Sequence, residues 1–362
     1  MDFTFTDEQQ AVRDLAAQIL GDHSAPDALR TLERSGEPRF DSALWGTLAD
    51  AGLLGIGVPE ADGGAGLGLI EAACVIEAAG KVAGAVPVWE TLGLGVPALL
   101  AADTDAAHAW LARVAGGDAV LTAAWHQGDG LGTTPSITLD ASGAVTGSAV
   151  CVPAAMVADA IVVPAVDGDD VAIVLVETGA AGVTRDPIET TMGTPDGNVT
   201  FDGAPSLPLA VGSAAVAAAF DRAAATQCAL ALGNCVGALE LLARYTTDRH
   251  QFGVPIASFQ AVGHRAADAY IDTEAVRLTT WQAIWRLDEG LAAGEEVAVA
   301  KYWAAYGGQR VVHAAVHLHG GVGVDRDYPL HRFFLAAKQI ELQLGGATPS
   351  LLRLGRSIAA NA

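Results

Sequence analysis

Residues 249–260 read Arg-His-Gln-Phe-Gly-Val-Pro-Ile-Ala-Ser-Phe-Gln and separate two long stretches of helical periodicity. Arg249 falls at the end of the first stretch, where its guanidinium can offer several donors to a pyrophosphate. Phe252 can cover the edge of an adenosine or flavin ring, and the amide of Gln260 can pair with a polar ring or a ribose. An Arg249–Asp248 ion pair and a core position for Phe252 are the structural alternatives. The sequence therefore predicts a turn between two helices that either binds a nucleotide or only connects them.

Residues 317–323, His-Leu-His-Gly-Gly-Val-Gly, are a second informative segment. Gly320 ends the preceding predicted helix, and Gly320 and Gly321 carry no side chain that would keep a ligand away from the backbone. His313 and His317 share one helical face, a spacing that metal ligands can have. The glutamate of an HExxH motif is missing, and no nearby carboxylate is spaced to complete a site. We therefore expect a glycine turn that either admits a ligand or only caps the helix and turns the chain, and no metal site.

Helical periodicity extends outward from both segments. Four helices are predicted in the C-terminal region, as a bundle over about 214–248, 258–287, 295–319 and 329–344. The first of them is apolar on nearly every face, so we expect it to be buried on several sides. The N-terminal region is also helical to about Ala115 and begins with a capping box of Thr6 and Gln9. Its glycine-rich loop, 59–67, follows no strand and lacks GxGxxG spacing, which favours a helix-to-helix loop over a phosphate cradle.

The middle of the chain has a different pattern, with short β-branched runs between turn sequences. Residues 140–143 and 167–170 have the composition of turns between consecutive strands, and no segment is long enough for a helical crossover. The pattern predicts a small antiparallel β domain and hence an α+β protein with domains at 1–117, 118–210 and 211–362. The predicted strands are 120–125, 136–139, 145–152, 160–166, 171–176 and 198–201.

Composition excludes several classes of protein. The 362 residues are 51% hydrophobic and carry a formal net charge of −22, which is unfavourable for binding nucleic acid or an anionic membrane surface. We expect no membrane span and no signal or transit peptide, and hence a cytosolic protein. The four cysteines lie in apolar sequence without a CxxC pair, so we expect buried, reduced thiols.

Taken together, these segments resemble the acyl-CoA dehydrogenase family, whose members have an α-β-α plan and hold FAD at subunit interfaces. The resemblance covers nearly the whole chain and is sharpest over 249–260, over 317–323 and at Tyr328-Pro329. It implies that FAD held mainly by a neighbouring subunit is contacted from both segments, with His317 standing where many relatives have Gln. The site residues that it implies are Arg249, Gln251, Phe252, Gln260, His317, Gly320 and Gly321.

The catalytic carboxylate of the family has no counterpart here. Many relatives place a glutamate after the fourth helix of the bundle, where this chain has Leu344 or Gly345, and others place it where this chain has Ala223 or Ala224. Glu341 lies one turn upstream and could substitute, but a solvated or ion-paired helix residue is the favoured interpretation. We therefore assign no catalytic residue.

The segments that face the flavin in relatives also differ. The resemblance aligns residues 123–128 and 151–153 with them, and Pro153 removes a donor where relatives have a threonine. One half of the FAD site is kept and the other is eroded. This combination is similar to the smaller, base-less subunits of actinobacterial heterotetrameric acyl-CoA dehydrogenases that act on steroid side chains, especially those of cholesterol.

The resemblance implies an α2β2 oxidoreductase with an acyl-CoA substrate, in which a second subunit of the same fold carries the glutamate and most of the FAD site. It identifies no electron acceptor. Two alternatives remain open: a self-sufficient homo-oligomer with an unusual base such as Glu341, and a scaffold subunit that does not touch FAD.

Overall fold

The computed structural model describes residues 4–128, 130–131 and 135–360. Its residues form two compact units, each assembled from separate parts of the chain. The first unit comprises the described residues up to 19, with 32–75 and 85–224. The second comprises 20–31, 76–84 and the described residues from 225 onward.

Helices fill the N-terminal region, as predicted. Thr6 and Gln9 form the expected capping box before α1, because Gln9 N–H donates to Thr6 Oγ1 at 3.2 Å and Thr6 N–H donates to Gln9 Oε1 at 3.0 Å. The glycine-rich loop connects two helices, as predicted. Gly64 is required in it, because a Cβ there would overlap the carbonyl oxygen of Val58. A π-helical turn, Glu90–Gly95, leads into α5. The helices are α1 (Asp7–His23), α2 (Pro26–Glu33), α3 (Ser42–Asp50), α4 (Leu69–Lys81), α5 (Val96–Leu100) and α6 (Asp105–Ala115).

Within the described residues, ten strands form one sheet in the middle of the chain. Its buried face is lined by small and β-branched side chains and by Phe201. The six predicted strands are present, and four further ones are short or lie at the sheet margins. The strands are β1 (Leu121–Ala123), β2 (His126–Gln127), β3 (Gly130–Leu131), β4 (Thr138–Leu139), β5 (Ala144–Val152), β6 (Ala160–Asp167), β7 (Asp170–Glu177), β8 (Val183–Pro187), β9 (Gly197–Pro205) and β10 (Leu207–Val211).

Most neighbouring strands are antiparallel, as in the β6–β7 hairpin that pairs Val163 with Val174. Two pairs are parallel, β1 with β6 and β4 with β6, which corrects the expectation of a wholly antiparallel sheet. The expectation assumed that a parallel crossover needs a helix. Here the chain crosses over through other strands of the same sheet, so β1 and β4 pair with different parts of one edge of β6.

Helices return after the sheet and continue to the end of the described chain. The helix α7 is long and apolar enough to cross a membrane, but 72% of its most apolar window is buried, so it is a core helix. A short hairpin, β11 (His250–Gln251) and β12 (Val254–Pro255), follows α7. The α11 helix adds to the four predicted helices. The helices are α7 (Ser213–Asp248), α8 (Gln260–Asp288), α9 (Gly294–His319), α10 (Leu330–Leu342) and α11 (Ala347–Ala360).

The cysteines match the expectation except at one position. All four are free thiols, and Cys74, Cys228 and Cys235 are buried. Cys151 is exposed, which corrects the expectation for that residue. It lies at an irregularity in the pairing of β5 with β9 and has a φ of +51°, so the regular alternation of inward and outward side chains is interrupted there.

A histidine between two carboxylates makes the N-terminal region sensitive to pH. His108 Nδ1 lies 2.6 Å from Asp62 Oδ2, and Nε2 lies 3.2 Å from Asp103 Oδ1. The hydrogen bond with Asp62, followed by that with Asp103, raises the pKa of His108. The imidazolium stabilises the fold fully below the ordinary pKa of 6.5, and this contribution is lost as the pH rises through the raised folded value.

We predict that the free energy of unfolding falls as the pH rises from about 6.5 through the raised pKa of His108, and that His108→Gln, which cannot ionise, shows a shallower fall. Urea unfolding of both proteins across this range measures the difference. Parallel pH profiles for the two proteins would contradict the assignment.

Candidate functional site

The first predicted site segment is a tight β-hairpin at the C-terminal end of α7. Arg249 N–H donates to Tyr245 O at 2.9 Å, and Ile256 N–H donates to Arg249 O at 2.8 Å, so the helix leads directly into the hairpin. Phe252 and Gly253 form its two-residue turn with φ values of +55° and +81°. Positive φ at both positions is typical of the type I′ turn that two-residue hairpins prefer. A phenylalanine in this conformation is strained, and such strain is concentrated at functional positions.

The hairpin presents its side chains to solvent in this chain. Phe252 is 90% exposed and meets only the edge of the Phe259 ring among aromatic neighbours, with ring centroids 6.1 Å apart. The Arg249 side chain is exposed and makes neither a hydrogen bond nor an ion pair with any residue that the structure describes. A core position for Phe252 and an Arg249–Asp248 ion pair are therefore both wrong. A free guanidinium beside an uncovered aromatic ring is a suitable donor set for a nucleotide pyrophosphate and its ring.

The two glutamines of the segment keep polar atoms available. Gln251 Nε2 donates to His250 O at 2.8 Å, and Gln260 Nε2 lies 3.5 Å from His264 Nε2. Both side chains are exposed, and among the described residues neither amide oxygen accepts a hydrogen bond. Each oxygen can therefore accept from a ribose hydroxyl or an adenine amine.

The second predicted segment is a glycine turn at the end of α9. Gly320 has a φ of +61° and ends the helix, as predicted, and His317 is exposed one turn earlier. Gly323 is required by packing, because a Cβ there would lie 2.7 Å from Val316 O. Gly321 has neither a positive φ nor any described heavy atom within 4 Å of where its Cβ would be. No residue that the structure describes requires glycine at 321, and the lack of a side chain there leaves the backbone open to close approach by a ligand.

The structure brings the two segments together. The Tyr245 ring, at the end of α7, stacks on the His319 ring, at the end of α9, with centroids 4.3 Å apart. The hairpin and the glycine turn therefore start from adjoining helix ends. The observed donor set, the exposed ring and the open glycine fit the dinucleotide part of a flavin cofactor. The predicted residues on these two segments, with Gln260 at the start of α8, all belong to the second compact unit.

Histidine spacing has a different role here. Both His313 and His317 are exposed, and the His313 ring packs edge-on against Phe334 with centroids 5.0 Å apart. In the described part of the chain, no group of three or more His, Cys, Asp or Glu side chains is placed to hold a metal ion.

A buried lysine holds the turn where many relatives carry the catalytic glutamate. Lys301 Nζ donates to Ile340 O at 2.8 Å and to Gln227 Oε1 at 2.6 Å, and Gln227 Nε2 donates to Gln343 Oε1 at 3.1 Å. Burial, as the largest cause, lowers the pKa of Lys301 to about 8. The lysine caps a carbonyl in the last turn of α10 and, through Gln227, fixes the residue before the turn. This network was not predicted, because a lysine within an apolar helix gives no signal of its partners.

The turn itself contains no acid. Leu344 is buried with a φ of +53°, and Gly345 has a φ of +92°. Glu341 Oε2 accepts from Lys338 Nζ at 2.6 Å, as expected for an ion-paired helix residue. Ala223 and Ala224, the alternative positions for a base, are buried.

Two carboxyl groups in the first unit, which were not predicted as site residues, have raised pKa values. Glu90, in the π-helical turn, is partly buried, and desolvation together with the nearby charge of Asp196 raises its pKa to about 8. Asp196 is buried, accepts from Ala154 N–H at 3.0 Å and has a pKa raised to about 6, mainly by desolvation. At neutral pH Glu90 is therefore mostly protonated. Only the π-helical turn, a feature frequent at functional sites, marks it as unusual.

Side chains and backbone groups in residues 122–127 and at Pro153 are packed and hydrogen-bonded within this chain. Trp125 is buried and packs edge-on against Phe220, with centroids 5.4 Å apart. Thr122 Oγ1 donates to Pro153 O at 2.6 Å, so this hydroxyl and this carbonyl are already paired. The buried Gln127 amide makes four hydrogen bonds, to Ala124 O and Pro164 O and from the backbone N–H groups of Ser136 and Ile137.

Comparison with known proteins identifies the family. The N-terminal domain of the acyl-CoA dehydrogenases matches residues 6–118, and their C-terminal domain matches residues 211–354. The acyl-CoA dehydrogenase FadE27 of Mycobacterium tuberculosis is 39% identical over 370 aligned residues, which cover 99% of each chain. The chain belongs to the acyl-CoA dehydrogenase family. Members of this family are FAD-dependent oxidoreductases, which agrees with the donor set of the two segments.

Further acyl-CoA dehydrogenases support this conclusion. FadE28 of M. tuberculosis is 34% identical over 98% of each chain. A solved structure described as the Tcur3481–Tcur3483 steroid ACAD is 40% identical with a TM-score of 0.93, covering 98% of each chain. The ChsE4–ChsE5 complex from M. tuberculosis is 38% identical with a TM-score of 0.93, covering 99% of each chain.

The turn before α11 provides a test of whether a base can be restored. We predict that Gly345→Glu lowers the free energy of unfolding by about 1–2 kcal/mol, because an L-residue is strained at this positive φ. Gly345→Asn is the matched control and loses less, since Asn tolerates positive φ better. Urea unfolding measures both losses.

We also expect no acyl-CoA dehydrogenation by the isolated Gly345→Glu chain, and family-like turnover would show that only the carboxylate was missing.

Proposed function

We propose that this chain is the base-less subunit of an FAD-dependent acyl-CoA dehydrogenase, active only beside a second subunit of the same fold that carries the catalytic glutamate. The observation that carries the proposal is the exposed hairpin, in which no described residue pairs with Arg249 or covers Phe252, next to a glycine turn whose Gly321 is required by no described neighbour. A chain that only scaffolded its partner would have no need of a free guanidinium and a strained, exposed ring.

The residues of this chain hold and orient the cofactor. Arg249 donates to the pyrophosphate, and Phe252 covers the adenosine or flavin edge. The amides of Gln251 and Gln260 and the imidazole of His317 pair with polar atoms of the nucleotide. Gly320 and Gly321 let it approach the backbone. When bound, FAD supplies hydride acceptance at its flavin ring.

The reaction is α,β-dehydrogenation of an acyl-CoA thioester. A carboxylate must remove the α-proton, and we assign this base to the partner subunit, because the turn at Leu344 and Gly345 has none. The two similar structures described as a steroid ACAD and as the ChsE4–ChsE5 complex support a CoA ester of a steroid side chain as the substrate and an assembly of two kinds of subunit. We infer an α2β2 heterotetramer in the cytosol, with the side chain of cholesterol as the favoured source of substrate.

A self-sufficient enzyme is the second candidate. Glu341 is the acid closest in sequence to the turn at Leu344 and Gly345. Its carboxylate, however, forms an ion pair with Lys338 Nζ at 2.6 Å. A carboxylate held in an ion pair within its own helix is not free to reach the α-proton of a substrate. The shared site is therefore the better explanation.

Flavin content tests whether the partner subunit holds most of the FAD site and this chain only completes it. We predict that the isolated chain binds little FAD and does not turn over acyl-CoA, and that the heterotetramer binds two FAD rather than four. The reason is that Trp125, together with the paired Thr122 and Pro153, closes the flavin side of this chain's own cradle. Flavin absorbance against protein concentration gives the stoichiometry. Four FAD per tetramer would sink the proposal that this cradle is closed.

Arg249 tests the contact with FAD directly. We predict that Arg249→Ala weakens the retention of FAD in the complex roughly tenfold to 150-fold, because a hydrogen bond to a charged group contributes about 1.5–3 kcal/mol. Titration of the apo-complex with FAD measures the affinity, and the melting temperature of the FAD-free complex reports on the fold.

Arg356→Ala is the control for this experiment, because Arg356 is an exposed arginine on α11 and its loss changes the net charge equally. We expect it to leave FAD affinity unchanged. Unchanged affinity in Arg249→Ala as well would remove Arg249 from the site and favour the scaffold alternative.

A further inference from the structure

Three rings lie at the helix ends that carry the two proposed FAD-contacting segments, with His319 buried and Tyr245 and Tyr328 partly buried. His319 is 3% exposed, and its Nδ1 lies 2.7 Å from Ala315 O. A carbonyl oxygen can only accept, so Nδ1 carries a hydrogen. The other nitrogen, Nε2, lies 3.2 Å from the Tyr328 hydroxyl. In a neutral imidazole this nitrogen is an acceptor, so the hydroxyl of Tyr328 donates to it.

The protonation state of His319 agrees with this assignment. Burial, the largest cause, lowers the pKa of His319, which keeps the ring neutral at neutral pH. Both nitrogens therefore have one fixed role each, and the orientation of the ring is determined.

The third ring ties this pair to α7. Tyr245 stacks on His319 at 4.3 Å with an interplanar angle of 22° and meets Tyr328 edge-on at 6.3 Å. Two of the rings are linked through the backbone to proposed FAD contacts. The Tyr245 carbonyl accepts from Arg249 N–H at 2.9 Å, and His319 immediately precedes Gly320. Tyr328 is anchored in turn, because His331 Nδ1 lies 2.7 Å from its carbonyl oxygen.

An apolar cluster could fill this space, but it would not define the orientation of the rings. Hydrogen-bonded polar groups in a buried site select one arrangement, because any other leaves a donor or acceptor unpaired. A ligand that contacts two separate segments binds more tightly when both are held in place before it arrives.

We propose that Tyr245, His319 and Tyr328 are positioning residues that hold the Arg249 hairpin and the Gly320–Gly321 turn in one arrangement for FAD, an inference that rests on the proposed function. These side chains do not contact the cofactor. Their effect on FAD passes through the backbone of the two segments.

The test compares FAD affinity of the heterotetramer across variants of the pair. Tyr328→Phe keeps the ring and removes only the hydroxyl, and His319→Phe keeps the stack and removes both hydrogen bonds. We expect each to weaken FAD binding roughly three- to tenfold, the range of a neutral hydrogen bond. The double variant should be no weaker than His319→Phe by more than about twofold, because the two changes remove the same hydrogen bond.

Conservative rescue distinguishes positioning from bulk packing. His319→Gln has an amide that can donate to Ala315 O and a carbonyl that can accept from Tyr328, so we expect affinity within about twofold of the unmodified complex. Thr273→Val is the stability control: it removes the buried hydroxyl that donates to Ala269 O at 2.8 Å within α8, away from both segments. It should lower the melting temperature and leave FAD affinity unchanged.

Hydrogen exchange of the unmodified chain and of Tyr328→Phe, both without FAD, supplies a second readout. Amides of residues 249–256 and 317–324 should exchange faster in the variant, and those of the sheet should not.

The outcomes separate this inference from the proposed function. If Arg249→Ala weakens FAD binding while Tyr328→Phe and His319→Phe do not, the positioning role is overturned and the shared FAD site stands. An equal loss in Thr273→Val, or unchanged exchange in both segments, also overturns it. If Arg249→Ala has no effect, the shared site fails and the positioning role for FAD fails with it.

Discussion

The close approach of α7 to neighbouring backbone is the constraint on which the second unit depends. A Cβ on Gly233 would overlap the Glu77 carbonyl oxygen, and one on Gly237 would overlap the Lys81 carbonyl oxygen and the Phe333 ring. Backbones that meet this closely leave no freedom for α7 to slide or rotate, because protein interiors are close-packed. Its last residues therefore have a defined position, and Arg249 follows the last of them.

Buried polar groups in the second unit form hydrogen bonds near the ends of its helices. Lys301 lies in an apolar interior, where an ammonium is costly unless it is hydrogen-bonded, and it finds a carbonyl at the end of α10 and the amide of Gln227. His319 likewise finds a carbonyl and a hydroxyl at the end of α9. Lys301 thereby satisfies a carbonyl in the last turn of α10, whereas the His319 imidazole adds a second donor to a carbonyl one turn before the end of α9. Precise helix ends matter here, because the proposed contacts with FAD are all at such ends.

This chain lacks an acid at the positions expected for the catalytic base, yet it keeps the groups that we propose contact FAD. The turn at Leu344 and Gly345 contains no acid, Trp125 is buried, and the Thr122 hydroxyl already donates to Pro153 O. The hairpin and glycine turn, in contrast, keep groups that have no use inside this chain. A subunit that completes its neighbour's site and no longer builds its own would retain this pattern, which accounts for the exposed Phe252 without invoking a second function.

The sequence alone determined the elements with strong local signals. Capping at Thr6, the long apolar α7, the end of α9 at Gly320 and the turns in the sheet follow from side-chain chemistry within a few residues. The absence of an acid near Gly345 was also visible in the sequence. Only the tertiary structure decided the parallel pairing on β6, the partners of Lys301 and the stacking of Tyr245 on His319. Each of these joins residues far apart in the chain, and neither periodicity nor composition encodes which distant group a buried donor or ring will meet.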